Sequence, residues 1–114
     1  MADAEQVRAC VAEVVRLMDG VDDATRRKIP DGTLSVRVPD VDLAFAGRFE
    51  EGHLLDVHEV DDVQATAAKL RLTLSSDDLL EVAEGRLHFG SAWAHGRIKV
   101  EARFRDLLAL RSFL

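Results

Sequence analysis

Leu70-Arg-Leu-Thr-Leu74, followed by Ser75-Ser-Asp-Asp-Leu-Leu-Glu-Val-Ala-Glu84 and Gly85, is the stretch that decides the fold. Leu70, Leu72 and Leu74 alternate with polar residues, the pattern of a strand buried on one face only. Ser75, with Asp78 three residues later, is a capping-box start for a helix, and Gly85 offers the left-handed stop. Outward toward the C-terminus, Gly85-Arg-Leu87 leads to a short helical turn, Ser91-Ala-Trp-Ala-His95, closed by Gly96. A second alternating strand is predicted next. Ile98, Val100, Ala102 and Phe104 lie on one face, with Arg97, Lys99, Glu101 and Arg103 on the other. An amphipathic helix over Arg105 to Leu114 follows, and its apolar stripe takes in Phe104, Leu107, Leu108 and Leu110.

Outward toward the N-terminus, 61–69 reads as a loop or brief helical turn. Leu54 to Val60 is a strand, and Glu51-Gly52 is a hairpin signal. The strand before it places Val41, Leu43, Phe45, Gly47 and Phe49 on one face. Pro39-Asp40 separates it from Thr33 to Val38, because proline cannot donate to a central ladder. A short polar helical segment is predicted over Asp22 to Lys28, with Arg26-Arg27-Lys28 as a solvated basic cluster. The first helix runs from Asp3 to Asp19. Val7, Cys10, Val11, Val14, Leu17 and Met18 form a stripe at three-four spacing that reads as core packing, and Gly20 is the expected stop. Five strands, each with one apolar face, give an α+β fold: a five-stranded, mostly antiparallel sheet covered on one face by helices. The whole of 1–114 is expected to be a single domain, since two would each be too small to bury a core.

The order of the C-terminal half resembles that of the sterol carrier protein 2 family, the SCP2-like lipid-binding domains. The residues that carry the resemblance are Leu72-Thr73-Leu74-Ser75, Asp78-Leu79-Leu80, Gly85-Arg86-Leu87, Ala92-Trp93, Gly96-Arg97-Ile98-Lys99-Val100 and Leu107 to Leu110. About forty-five residues match well, and the N-terminal part by pattern alone. Two positions depart from the family: His88-Phe-Gly-Ser91 stands where Asn-Pro-Gln-Lys is usual, and Ala102 where glycine is usual. Both lie beside the expected cavity, so the identity of the ligand does not carry across. The resemblance implies a lipid tail or sterol held in a tunnel between helices and sheet. The expected ligand-binding residues are the inward ones of the C-terminal half: Leu79, Leu80, Val82, Leu87, Phe89, Trp93, Leu107, Leu108 and Leu110. Trp93 is expected to turn its ring toward the sheet. Periodicity alone does not separate a tunnel from a solid core.

Composition narrows the function classes. The net charge of −6 argues against nucleic acid as a partner, because phosphate binding needs a basic surface. From Arg97 onward, however, five basic residues face two acidic ones, a local +3. That segment reads either as a solvated face or as a basic rim for anionic lipid head groups. The terminal helix is accordingly either a permanent part of the core or a gate that contacts an anionic membrane transiently. No run of eighteen apolar residues exists. A polar, acidic start (Met1-Ala-Asp-Ala-Glu5), a lone cysteine, and an ending, Arg111-Ser-Phe-Leu114, that is not a peroxisomal Ser-Lys-Leu address together predict a bacterial cytoplasmic protein.

No constellation points to chemistry. His53, His58, His88 and His95 lack the spacing that places two imidazoles on one helical face, so no metal site is expected. Asp56 and His58 share a face of a strand while Glu59 points away. Ser91 lacks the second glycine of a nucleophile elbow and suits a helix N-cap. Cys10 lies in an apolar stripe, where a thiol packs rather than reacts. No catalytic residue and no cofactor are expected. The reading is a non-enzymatic lipid-binding protein. The alternatives are a protein-interaction module, or an accessory subunit of an enzyme, that keeps the fold with a reduced cavity.

Overall fold

The computed structural model describes residues 2–111, with Leu110 given by its backbone alone. Asp3 starts the first helix, α1 (Ala4–Met18): its side chain accepts from the Gln6 amide while Gln6 reaches back to the Asp3 amide. This reciprocal cap satisfies two amides that the first turn leaves without helical partners. The helix ends through Asp19 in right-handed geometry, and Gly20 is not left-handed as the sequence suggested. One turn of helix, α2 (Asp23–Arg26), is capped by Asp22.

Strand β1 (Gly32–Val38) follows. The expected strand start at Val41 is instead part of a 3-10 turn, Pro39–Val41, which Asp42 leaves at φ +55°. Proline at the head of this turn is consistent with its fixed φ. β2 (Leu43–Glu50) and β3 (His53–Glu59) are joined by Glu51 and Gly52, both at positive φ, as a two-residue hairpin requires. β3 carries a bulge: Ala46 pairs with His58 but Arg48 pairs with Leu55, and Asp56 sits at φ +56°. After α3 (Asp62–Thr66) comes β4 (Leu70–Thr73), then α4 (Ser76–Ala83). The Ser75 side chain accepts from the Asp78 amide, and Gly85 at φ +77° turns the chain away.

Helix α5 spans Phe89–Ala94, β5 Lys99–Glu101 and α6 Phe104–Leu110. Ser91 is therefore inside α5 rather than its cap, a position held by His88. The last strand is shorter than its alternation suggests. β4 begins at Leu70, and with Arg71 opposite Glu101 it offers almost nothing beyond for residues 102–104 to pair with. Phe104 thus opens a helix instead of closing a strand. The expected continuation of that helix over 112–114 lies outside the described residues.

The sheet order is β3-β2-β1-β4-β5, antiparallel except for the central β1–β4 pair. This is the α+β fold with a mostly antiparallel five-stranded sheet. α1, α4 and α5 lie against one face, where Val7, Cys10, Val38, Phe45, Leu74, Leu79, Ala92 and Ile98 form the core. On the other face α3 sits across β1 and β2. Buried Ala65 and Ala68 let its backbone approach closely, and Ser35 donates its hydroxyl to the Ala65 carbonyl at 2.8 Å. Every buried side-chain nitrogen or oxygen among the described residues has a hydrogen-bond partner. No helix among them is long and apolar enough to cross a membrane.

Candidate functional site

Between α1 and the sheet is a cavity of about 360 Å³. Its roof is the C-terminal half of α1, through Val11, Val14, Val15 and Met18. The floor comes from four strands: Leu34 and Val36 of β1, Phe45 and Phe49 of β2, Leu54 and Val57 of β3, Leu70 and Leu72 of β4. Alternation places those of β1, β2 and β4 on one sheet face, and the β3 bulge at Asp56 brings Leu54 and Val57, three residues apart, to the same side. Ile29 lines the cavity from the segment before β1, while Leu79 of α4 and Phe89 of α5 line it from the helical layer. Gly47 and Ala46 complete the lining, and no polar side chain contributes. At Gly47 the bulged β3 comes close: a Cβ there would stand 3.0 Å from Val57 Cγ2 and 3.1 Å from the Leu55 carbonyl. Glycine keeps the floor open at this point.

Of the residues expected from sequence to meet a ligand, Leu79 and Phe89 are on the wall. Leu80, Val82 and Leu87 pack against the core cluster beside it. Trp93 is half-buried, its ring centroid 6.2 Å from that of Phe89 in a tilted pair, so it stands one side chain away from the cavity. In α6, Leu107 is half-buried and Leu108 is 46% exposed, and neither reaches the cavity; the side chain of Leu110 lies outside those described. Most of the lining comes from α1 and the N-terminal strands. Their apolar stripes were legible, but an i, i+3, i+4 stripe is the same whether it meets atoms or space.

The ionisable groups near the helical layer serve structure. Cys10 is buried, with its Sγ 3.6 Å from the Leu79 carbonyl, and burial pushes its thiol pKa up, away from reactivity. Asp40 accepts from both the amide and the hydroxyl of buried Ser76, at 2.9 and 2.5 Å, and the hydroxyl bond is the main cause holding its carboxyl below the usual value. Asp56 and His58 both line a shallow groove on the opposite sheet face, where Asp56 pairs with Arg48. No group of three or more potential metal ligands is gathered among the described residues.

In the basic segment, Arg97 pairs with Asp78 and Glu81, and Lys99 with Glu101. Among the described residues Arg103, Arg105 and Arg111 make no ion pair. Next to them Phe104 is 76% exposed, one turn from Leu108. The acid of this helix, Asp106, is turned toward Lys69, Thr33 and Gly32. The outer face of α6 therefore carries apolar and basic side chains.

No family model matches the sequence, and no curated protein does. Solved structures do match. The Aedes aegypti sterol carrier protein 2 like 2 superposes with a TM-score of 0.65 at 14% identity, covering 96% of this chain and 97% of its own. An Aedes aegypti sterol carrier protein 2, in complex with the C16 fatty acid palmitate, gives 0.59 at 20% identity, covering 95% and 93%. The stereoselective inverting sec-alkylsulfatase Pisa1 from a Pseudomonas species gives 0.57 at 19% identity. The alignment takes in 86% of this chain but only 15% of that enzyme. Full-length coverage on both sides, with the same α+β layering, makes the conclusion one of architecture: this chain has the sterol carrier protein 2 fold.

Proposed function

We propose that the protein binds a hydrophobic ligand, a fatty acyl chain, sterol or related lipid, in the cavity between α1 and the sheet, and does so without catalysis. The observation that carries this reading is a cavity of about 360 Å³ walled by apolar side chains alone. Ligand pockets run from roughly 300 to 1,000 Å³, so this one suits a single chain or one fused-ring skeleton rather than a two-chain lipid. Left unfilled, at about 24 cal/mol per Å³, such a void would cost roughly 9 kcal/mol. That rivals the whole stability of a domain, about 5–15 kcal/mol. Burying hydrocarbon returns about 0.8 kcal/mol per methylene. A wholly empty void is therefore disfavoured, and the space is occupied by ligand, partly hydrated or collapsed. Palmitate in a structure of the same fold supports the acyl-chain form of the ligand.

In this reading Leu79 and Phe89 touch the ligand, and Trp93 reports on it through Phe89. Leu80, Val82 and Leu87 hold that wall from behind. Leu107, Leu108 and Leu110 belong to a helix that meets an anionic membrane surface during transfer, with Arg103, Arg105 and Arg111 toward the head groups. Nucleic acid is not a partner. A buried, unpaired Cys10 fits the reducing cytoplasm. The test is mass spectrometry of lipid extracted from the purified protein, together with titration by cis-parinaric acid. Saturable binding of one probe per chain supports the reading, and its absence refutes it. The likeness to a short segment of an alkylsulfatase favours one second reading, an accessory subunit that presents a lipid to an enzyme. In that case extracted lipid would not pass to vesicles until the enzyme was supplied.

A further inference from the structure

Arg26 closes α2, and its guanidinium ties three parts of the chain together. Nη1 donates to the Gly52 carbonyl at 3.0 Å and faces His53 Nδ1 at 3.1 Å, in the β2–β3 hairpin. Nη2 donates to the Val21 carbonyl at 3.0 Å and to those of Met18 and Asp19 at 3.4 Å, at the end of α1. Guanidinium can only donate, so His53 Nδ1 must be the acceptor and its ring proton must sit on Nε2. The fit is close: a Cβ on Gly52 would stand 2.0 Å from Arg26 Cγ and 2.6 Å from its carbonyl oxygen. Met18, Ile29, Phe49 and Leu54, which surround this clasp in the chain, all line the cavity.

The two ends of the roof are held differently. At the N-terminal end α1 is fixed chiefly by packing, with Val7 and Cys10 buried in the core. An exposed ion pair of Arg8 with Glu59 of β3, and the Ala2 amide donating to Asp77, add polar ties there. At the C-terminal end its side chains lie over the cavity, and the clasp is polar. The last carbonyls of a helix lack intrahelical partners, and here Arg26 supplies donors to two of them. A polar clasp exchanges its bonds for water at small net cost, whereas a packed end does not.

We propose that Arg26 is the latch of the cavity's portal: ligand enters and leaves where the end of α1 parts from the Gly52–His53 hairpin. This rests on the lipid-binding reading for its purpose but not for its test. Hydrogen exchange on wild type and Arg26→Lys, which keeps the charge but loses the fork of donors, reads the latch without ligand. The expected result is about tenfold faster exchange at the amides of Val14 to Met18, with Val7 to Cys10 unchanged. His53→Ala, which removes one acceptor, should move the same amides by a smaller factor. Uniform acceleration along α1, or none, would overturn the proposal. Stopped-flow mixing with cis-parinaric acid then reads the portal. Association and dissociation should both quicken about tenfold in Arg26→Lys while Kd stays within about threefold, because a gate lowers a barrier common to both directions. A change in Kd carried by dissociation alone would mean that Arg26 acts on the bound ligand and is no latch. If wild type binds no probe, the lipid reading falls, and exchange alone decides the latch.

Discussion

Val7 and Cys10, in the first half of α1, are 0% and 6% exposed against Val38, Leu79 and Ile98, whereas Val11, Val14, Val15 and Met18, further along the same helix, look into open volume. The residue types are alike and the spacing is continuous. The neighbours differ. α4 packs beside the first half, while the second half bridges from Leu79 to the β2–β3 hairpin over the cavity. The packed half carries stability and the bridging half spans the cavity, the room that the proposed function gives to a ligand. One amphipathic helix serves both because its stripe is satisfied by any apolar surroundings, whether protein or lipid.

The largest expected effect tests this directly. Val7→Asp buries a carboxylate with no partner, and such a group costs several kcal/mol, a large part of the stability of a domain. Circular dichroism should show a chain that no longer folds cooperatively. Val14→Asp, in the bridging half, should fold and lose binding of cis-parinaric acid. Equal unfolding of both variants would mean that the second half is core as well.

A smaller effect is expected from filling the cavity. Val36→Phe projects a ring from the floor toward the roof and should abolish probe binding. Overpacking a tight core costs about 1–3 kcal/mol, but a floor residue facing open volume avoids that. Ligand-free protein should be as stable as wild type or more so. A lower Tm with undiminished probe binding would show that the volume at Val36 is not available to a ligand.

Next in size is the tie between the 3-10 turn at Pro39–Val41 and the start of α4. Asp40→Ala leaves the buried amide and hydroxyl of Ser76 without their acceptor, at a cost of about 1–3 kcal/mol. Its pH dependence has a definite sign. The Ser76 hydroxyl holds the folded-state pKa of Asp40 below its ordinary 3.8, so the stabilisation is fully present above that value. It is lost as pH falls through the lowered folded-state value, where the folded carboxylate also takes up a proton. Denaturation of wild type and Asp40→Ala should therefore differ at pH 7 and converge in acid. A gap that persists unchanged at low pH would assign the loss to packing at Pro39–Val41.

Features set by chemistry between near neighbours were legible in the sequence. Ser75 with Asp78 and the Glu51-Gly52 turn each involve groups a few residues apart, so the spacing carries the signal. The cavity was not legible, because stripes on α1 and alternation on four strands specify apolar faces without specifying the gap between them. Arg26 read as one of three solvated cations. All but one of its acceptors are backbone carbonyls, which leave no trace in residue identity. The last strand was drawn too long because alternation through Phe104 says nothing about the length of the partner β4. The sheet face bearing α3 was expected to be solvated. Ala65 and Ala68 look like loop residues until their small size is seen to admit a helix.

The smallest expected effect on stability concerns α6, a second region whose apolar residues meet something other than core. Phe104 and Leu108 are the exposed pair, and the proposal gives them to a bilayer. Substituting an exposed residue changes stability by about 0.5 kcal/mol or less, so Phe104→Asp should leave Tm almost unmoved. Transfer is where the change should appear. A carboxylate at the centre of the face opposes both hydrocarbon contact and the attraction of Arg103, Arg105 and Arg111 to anionic head groups. Delivery of cis-parinaric acid to vesicles containing phosphatidylserine should slow, while delivery to neutral vesicles changes less. Raised salt should narrow the wild-type difference between the two vesicles, since screening shortens the reach of the arginines. Half-buried Leu107 supplies the contrast on the same helix: Leu107→Asp should lower Tm where Phe104→Asp does not. If Phe104→Asp unfolds the protein, α6 completes the core. If wild-type delivery ignores vesicle charge altogether, the basic face has no membrane role.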